Sequence, residues 1–205
     1  MASSAQVKDF IKSIAPIICA EADKRGYAIR STVIAQAIIE GAAGTSGLAK
    51  KYHNHFGMKC GSSWKGKSVN LATKEEYSIG TLTSIKANFR AYDNDVEGVA
   101  GYYDFIKTKR YANLKTAKDY IQYAQYLKSD GWATSSTYVN TLVNTVKRYN
   151  LYVYDNKSLV PVSIIVKEVI DGKWGVGNDR KLRLEEAGYN YREVQDEVNR
   201  VLRGD

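Results

Sequence analysis

The chain has 205 residues, 44% of them hydrophobic, and a net charge of +8, which is enough apolar material for one main domain with a small appendage. It has no run of about 18 apolar residues, and its N-terminus lacks the basic patch, apolar core and cleavage site of a secretory signal. The composition therefore predicts a globular protein with no membrane insertion and no signal peptide.

The positive charge is concentrated in the first part of the chain. Residues 1–160 have a net charge of +9, whereas residues 161–205 have a net charge of −1. A basic surface attracts polyanions, either nucleic acid or the anionic polymers of a bacterial wall, and it also aids solubility without any partner. The sequence contains no nucleic-acid-binding module and no Gly-rich phosphate loop, so we expect no nucleic-acid partner.

After a first amphipathic helix, a short apolar helix is predicted over residues ~32–40, with Ser31 as its expected N-cap. Glu40 ends this helix, and the small residues 41–44 let the backbone turn away, so that the carboxylate faces a groove. Poor solvation at the end of an apolar helix favours the protonated acid that a glycosidase needs to protonate a leaving oxygen. Glu40 is therefore the candidate general acid, and a solvated surface charge is the alternative.

The next segment, residues 53–70, is a loop rich in Gly, Ser and Lys. Asn54, Phe56 and Trp64 are candidates for the floor of a groove, because an aromatic ring packs on the apolar face of a sugar and an amide can bond an acetamido group. A core position is the alternative for Phe56. Cys60 lies near two histidines, but no acidic or second thiol ligand completes a metal-binding set. We therefore expect no metal and no cofactor.

Residues 71–92 bring β-branched and aromatic residues in short runs, which predict a β-hairpin or a small three-stranded sheet. Glu75 and Glu76 lie on this element. Because neighbouring residues of a strand point to opposite faces, only one of these two side chains can face a shared cleft.

Beyond the hairpin the apolar spacing predicts helices, and the loop before the last of them carries Trp132 and Tyr138. A polar junction over residues 156–161 then predicts a linker. The remaining residues have the apolar spacing of three short helices. The expected domains are therefore residues 1–155 and residues 162–205.

Several motifs occur in the order typical of one enzyme family. They are Gln36-x-x-x-Glu40 with a small-residue turn and Ser46-Gly47-Leu48-Ala49, then Asn54-His55-Phe56-Gly57-Met58-Lys59, Thr73-x-x-Glu76-Tyr77, Phe89-Arg90-x-Tyr92-Asp93 and Trp132-Ala133-Thr134-x-x-x-Tyr138. Together they resemble glycoside hydrolase family 73, a family of glucosaminidases, over roughly residues 5–155.

The resemblance implies an α+β, lysozyme-like fold, in which a helical lobe and a small β-hairpin lobe flank a groove, followed here by a three-helix bundle module. It implies hydrolysis of the β-1,4 bond after N-acetylglucosamine in bacterial peptidoglycan, with Glu40 as the general acid and Glu76 as the second acidic residue. It also implies an aromatic residue on the loop before the last helix lining the groove, a role open to Trp132 or Tyr138. This sequence has Trp132 where the family commonly has Tyr, and Gly-Ala-Ala at 41–43 where Ser/Thr-Gly-Trp is common.

The last segment resembles the cell-wall-binding repeat at the C-terminus of some phage lysozymes. The match includes Val169-Ile170-x-Gly172-x-Trp174-Gly175-x-Gly177-x-x-Arg180-x-x-Arg183-Leu184. The resemblance implies wall binding, with Trp174, Gly175 and Arg180 as candidate contacts, while a role as core anchor is the alternative for Trp174. Such a fusion suggests a phage or prophage endolysin, made in the host cytoplasm without a signal peptide and acting on the wall after release.

Three other functions stay open at this point. One is a muramidase that cuts the alternate glycosidic bond, the second is a non-catalytic wall-binding protein on the same fold, and the third is a nucleic-acid-binding protein that uses the basic first part. The sequence implies no protein partner.

Overall fold

The computed structural model describes the backbone of residues 2–78, 81–155, 162–187 and 189–204, together with the side chains of these residues except at 73–78, 81–85 and 186. Within these ranges the chain forms helices and one antiparallel hairpin. In chain order the elements are α1 (Ser4–Arg25), α2 (Ser31–Glu40), α3 (Gly47–Tyr52), β1 (Ser68–Ser78), β2 (Thr81–Arg90), α4 (Asp95–Ile106), a 3-10 stretch (Lys109–Thr116), α5 (Tyr120–Ser129), α6 (Tyr138–Arg148), a second 3-10 stretch (Leu151–Tyr154), α7 (Val162–Ile170), α8 (Gly177–Glu186) and α9 (Tyr191–Arg203).

The helix α2 lies at the centre of the larger folded unit. It contacts α1, α5, α6 and the second 3-10 stretch, and its residues from Ser31 to Ile38 are all buried. A helix that is apolar on every side is stable only when other elements surround it. The packing therefore fixes the position of Glu40, the last residue of α2.

The N-terminus of α2 is capped by a residue from a distant part of the chain. Ser31 is the first residue of the helix, and the N-cap residue Arg30 makes no capping bond with its side chain, so the prediction of Ser31 as N-cap is wrong. Instead, Asp155 accepts hydrogen bonds from the backbone nitrogens of Arg30 at 2.6 Å and Ser31 at 2.7 Å, and from the Ser31 hydroxyl at 2.5 Å. A carboxylate at this place satisfies free N–H groups and interacts favourably with the helix dipole.

Strands β1 and β2 pair in an antiparallel hairpin whose register runs from Ser68 opposite Arg90 to Glu76 opposite Leu82. The register is irregular between Glu76 and Ser78. One isolated bridge, between Lys59 and Phe89, joins the preceding loop to the hairpin. The predicted α+β arrangement of a helical lobe with a small hairpin is confirmed.

Buried apolar side chains form two separate clusters. The larger cluster draws on α1, α2, α4, α5 and α6. The smaller one lies among the three last helices and consists of Ile165, Val166, Val169, Leu184, Tyr189, Val194 and Val198. Two clusters fit a division into two domains, but the linker predicted over residues 156–161 lies outside the described residues, so the boundary stays a prediction. In the described ranges, no helix has both the length and the apolar character needed to cross a bilayer.

Candidate active site

A cleft of about 960 Å³ opens beside the C-terminal end of α2. Its described lining comes from Glu40, from the segment 46–61, from the hairpin and from residues 105–133. The cleft therefore lies between the helical lobe and the hairpin lobe, where the sequence predicts a groove.

The chain turns sharply after Glu40. Ala42 and Ala43 have φ angles of 49° and 51°, a left-handed conformation that residues other than glycine seldom adopt. At Gly41 a Cβ atom would lie 2.8 Å from the carbonyl oxygen of Ala37 and 3.0 Å from that of His55. Glycine is therefore the residue that fits at position 41, and the turn that follows leaves Glu40 in the lining of the cleft.

The carboxyl group of Glu40 interacts with the side chains of Tyr138 and Trp132. The Tyr138 hydroxyl donates a hydrogen bond to Oε1 at 3.3 Å. Glu40 keeps contact with solvent, but the walls of the cleft displace much of the surrounding water. This desolvation raises the pKa of Glu40, while the neighbouring Trp132 and Tyr138 side chains act in the opposite direction. A raised pKa keeps the acid protonated at higher pH, as a general acid requires.

A chain of buried hydrogen bonds lies behind Glu40. The Tyr102 hydroxyl donates to Oε1 of Gln36 at 2.6 Å, and Nε2 of Gln36 lies 3.0 Å from the Tyr138 hydroxyl oxygen, to which it donates. Because this oxygen accepts from Gln36, the hydroxyl hydrogen of Tyr138 is available to Glu40. Burial raises the pKa of Tyr138, so the hydroxyl stays protonated. A network with every member paired in a low-dielectric interior is rigid, and it fixes the donor that faces Glu40.

Phe56 and Trp132 also line the cleft. Phe56 is 2% exposed and stacks on Tyr102 with 4.1 Å between ring centroids, so it is mainly a core residue with one side toward the cleft. Trp132 packs edge-on against the rings of Tyr102, Phe105 and Tyr111. The structure thus places three predicted residues, Glu40, Phe56 and Trp132, in the lining of the cleft. Tyr138 is the first residue of α6, is buried and is absent from the described lining, but its hydroxyl contacts Glu40.

Asn54 and Trp64 do not join this group. Asn54 is 1% exposed; its amide nitrogen donates to the carbonyl oxygens of Met58 and Arg90, both at 2.9 Å, and its oxygen accepts from the Met58 backbone nitrogen. These bonds hold the loop together, so the geometry does not fit the predicted contact with an acetamido group. Trp64 lies against the Arg90 guanidinium, 4.4 Å from the ring centroid, and is absent from the described lining of the cleft.

His53, His55 and Asp95 bring their side-chain nitrogen and oxygen atoms close together, as in many metal sites. Nδ1 of His53 and Nε2 of His55 both lie 2.7 Å from Oδ1 of Asp95, so the expectation that no acidic group accompanies these histidines is wrong. However, Nδ1 of His55 is buried and has no hydrogen-bond partner. Metal binding at Nε2 would place the ring proton on Nδ1, where the described residues offer no acceptor. The geometry fits a hydrogen-bonded brace between the end of α3 and the start of α4.

Residues 15–151 match the profile of the glucosaminidase family, described as mannosyl-glycoprotein endo-beta-N-acetylglucosaminidase. The chain belongs to this family, glycoside hydrolase family 73. Residues 164–202 match a second profile, the CW_7 repeat. The two family resemblances predicted from the sequence are confirmed.

Relatives of this chain include exo-glucosaminidase LytG of Bacillus subtilis, 32% identical over 174 residues that cover 78% of this chain and 61% of LytG. Peptidoglycan hydrolase FlgJ of Escherichia coli K12 is 31% identical over 121 residues, which cover 57% of this chain and 38% of FlgJ. The chain therefore spans less than two thirds of either protein. The catalytic domain of the autolysin Auto from Listeria monocytogenes has a similar fold, with a TM-score of 0.63 and 27% identity over 75% of this chain and 90% of that domain.

The second acidic residue expected in this glucosaminidase, Glu76, lies on β1. Its side chain lies outside the described residues, so its position relative to Glu40 stays a prediction. Alternation along the strand assigns position 75 to the same face as Leu71, and position 76 to the same face as Ala72. Leu71 and Ala72 both line the cleft. The register therefore does not choose between the two glutamates.

In the CW_7 repeat of the glucosaminidase, the three candidate wall contacts make internal bonds. Nε1 of Trp174 donates to Oε2 of Glu168 at 2.9 Å. Nε of Arg180 donates to the carbonyl oxygen of Gly175 at 2.9 Å, and Nη1 donates to the Gln195 side chain at 3.1 Å. Trp174 is partly buried against the small core and lines a shallow depression. Both the wall contact and the anchoring role of Trp174 thus stay open.

Proposed function

We propose that the protein is a peptidoglycan hydrolase that cleaves the β-1,4 bond after N-acetylglucosamine within the glycan strand. The observation that carries this proposal is the state of Glu40: an acid of raised pKa, accessible in a large cleft and hydrogen-bonded by the Tyr138 hydroxyl. Membership of the glucosaminidase family supports it, as does the naming of FlgJ as a peptidoglycan hydrolase.

Glu40 enters the reaction protonated and gives its proton to the glycosidic oxygen. The bond between C1 of N-acetylglucosamine and this oxygen then breaks, and the leaving sugar carries the proton away as a hydroxyl. The carboxylate left on Glu40 accepts a hydrogen bond from Tyr138. A water molecule forms the new bond to C1 and gives up a proton, and a proton from solvent restores the acid on Glu40. We propose Glu76 as the base that takes the proton of this water or as the charge stabiliser at C1, at the wide separation that admits a water molecule rather than as a covalent nucleophile.

The test is digestion of purified bacterial walls, with turbidity as the readout of lysis and mass spectrometry of borohydride-reduced products as the readout of the bond cut. We expect turbidity to fall and new reducing ends to be N-acetylglucosamine. Reduced muramic acid ends would identify the muramidase alternative. Wall binding without any new reducing ends would identify a non-catalytic binding protein. The size distribution of early products distinguishes internal cleavage from the exo-action that the name of LytG states.

We also propose that the CW_7 repeat holds the hydrolase on the wall, with Trp174, Gly175 and Arg180 among its contacts. Attachment of even a weak binder raises the effective concentration of the enzyme at the polymer. Deletion of residues 162–205 should leave a folded hydrolase that sediments less with purified walls. Failure of the shortened chain to fold would show that the two-domain division is wrong.

Finally, we propose that the protein acts as a bacteriolytic phage-type endolysin. The likeness of its C-terminal segment to a repeat of phage lysozymes supports this origin. Expression in a bacterial host should cause lysis when a protein that opens the inner membrane is also produced, and little lysis without it. Equal lysis in both cultures would contradict release through a membrane lesion.

A further inference from the structure

We infer that two cations of the cleft, Lys51 and Arg110, bind the carboxylates of the peptides attached to the glycan, so that the enzyme prefers strands with acidic peptides. This inference rests on the proposed function, because it concerns the same substrate in the same cleft.

The charges that line the cleft are mostly positive. Its described lining contains three cations, Lys51, Lys59 and Arg110, and one acidic residue, Glu40. Repeating N-acetylated sugars carry no charge of their own, and the lactyl group of muramic acid is neutral when it is amide-linked to a peptide. The negative charge of such a substrate therefore lies on its peptides. Cations beside the glycan path attract these peptides and not the sugars.

Arg110 is held in a defined position in the wall of the cleft. Its Nε donates to the carbonyl oxygen of Asp130. Gly131, with a φ of 79°, lies so close that a Cβ there would be 2.1 Å from Nη2 of Arg110. The guanidinium thus lies directly against the loop that carries Trp132 and remains exposed. A positioned guanidinium suits a carboxylate, because its planar fork can donate two parallel hydrogen bonds.

Lys51 comes from a different stretch of chain, the exposed side of α3. In the part of the chain that the structure describes, no carboxylate pairs with Lys51 or with Arg110. Lys67, in contrast, pairs with Asp93 outside the described cleft lining. Lys51 and Arg110 are therefore available to an anionic ligand.

The phosphates of teichoic acid are a second source of anions in bacterial walls. Peptide carboxylates are favoured here because they are covalently attached to the sugars that enter the cleft, so binding of the glycan brings them close to the two cations. Teichoic acid is attached to far fewer of these sugars than the peptides are, and its contribution is an outcome of the test.

The experiment uses the full chain and two preparations of the same peptidoglycan, both freed of teichoic acid with hydrofluoric acid. One keeps its peptide carboxylates, and in the other they are converted to neutral amides with carbodiimide and ammonia. The variants are Lys51→Gln and Arg110→Gln, and the matched controls are Lys50→Gln and Lys109→Gln, which change exposed neighbours outside the described cleft lining. The rate at which reducing ends are released gives kcat and KM for each combination of protein and substrate.

On the acidic substrate we expect each cleft variant to raise KM roughly fivefold with little change in kcat, the upper end for an exposed ion pair. The difference in KM between each cleft variant and the wild type should be smaller on the amidated substrate, which lacks the peptide carboxylates. It should also be smaller in 0.5 M salt, since salt screens exposed charges. The two controls should behave as the wild type on both substrates. If Arg110→Gln is unfolded by circular dichroism, Lys51→Gln alone decides the outcome.

Three results would overturn the inference. The first is an equal loss on acidic and amidated substrate, which would mean that the side chains act on the sugars or on the fold. The second is a loss in Lys50→Gln as large as that in Lys51→Gln. The third is an effect seen only on a parallel preparation that was not treated with hydrofluoric acid and so retains teichoic acid, which would make phosphate the ligand. A wild-type protein inactive on every substrate would instead contradict the proposed function itself.

Discussion

The two acidic residues proposed for catalysis lie on elements that are held in very different ways. Glu40 ends a helix that three others surround, and buried hydrogen bonds fix the group that faces it. Glu76 lies near the tip of a hairpin, and in the described residues that hairpin is bonded to the rest of the chain at its base, where Asn88 and Arg90 bond the backbone of Cys60 and Met58. Two paired strands beyond such contacts are only marginally stable by themselves, whereas a surrounded helix cannot move without breaking the core. The proton donor is thus on the rigid wall of the cleft.

The largest effect is expected for Glu40→Gln, which keeps the size of the side chain and removes the transferable proton. Loss of a general acid typically costs about 10²–10⁴ in rate. Release of reducing ends from purified walls measures it. A folded variant with half of the normal activity would remove Glu40 from the mechanism.

The same variant has an expected effect on stability with a definite sign. Because desolvation raises the pKa of folded Glu40, the folded state binds this proton more tightly than the unfolded state, and stability falls as pH rises through the raised pKa. The glutamine has no proton to lose. Above that pH, Glu40→Gln should therefore melt at the same temperature as the wild type or higher, and a lower melting temperature would contradict the pKa assignment.

A smaller loss is expected for Glu76→Gln, because a base or charge stabiliser on the hairpin contributes less than obligatory protonation of the leaving group. Glu75→Gln is the matched control and should change the rate little. Rate measurements on both variants decide which glutamate faces the cleft, and greater sensitivity at Glu75 would reverse the assignment. A glycosyl adduct trapped on Glu76 would show a covalent mechanism instead.

Asp155→Ala tests how firmly the rigid wall is held. It removes the acceptor for the backbone nitrogens of Arg30 and Ser31, and loss of a helix cap typically lowers the free energy of unfolding by about 1–2 kcal/mol. Denaturant unfolding should show this lower free energy. The catalytic rate per folded molecule should be nearly unchanged at low temperature. The exposed Asp119, which caps α5, offers a comparison at a second helix start.

The smallest effect is expected for Tyr138→Phe, and it concerns pH. The hydroxyl donates to the Glu40 carboxylate and lowers its pKa, so its loss should raise the pKa of Glu40. Activity requires protonated Glu40 and falls as pH rises through this pKa. The alkaline limb of the pH profile should therefore move to higher pH. Tyr126→Phe, outside the described cleft lining, should leave the limb in place.

Local patterns in the sequence were sufficient for several features. The apolar spacing predicts the helix that ends at Glu40, the run of β-branched residues predicts the hairpin, and the ordered motifs predict the family. These features depend on neighbouring residues, or on residue types at short spacing, so the chain itself displays them.

Other features join residues that are far apart in the chain, and no local pattern reports them. Gln36 makes hydrogen bonds with Tyr102 and Tyr138, which lie far from it in the sequence. The spacing between Gln36 and Glu40 therefore does not indicate these bonds. Asn54 turns inward because backbone groups of Met58 and Arg90 bind its amide, which residue type alone could not distinguish from a sugar contact. Residue type also does not show that Arg110 and Lys51 line the same cleft.

The cap that Asp155 provides also affects when the protein reaches its full stability during synthesis. Its bond to Ser31 spans 124 residues, so α2 leaves the ribosome long before its cap is made. At about 5–20 residues per second, translation of that interval takes roughly 6–25 seconds. Contacts between such distant residues form late in folding, because a long loop must close first. We therefore expect the hydrolase to gain its full stability only after ribosomes have passed residue 155.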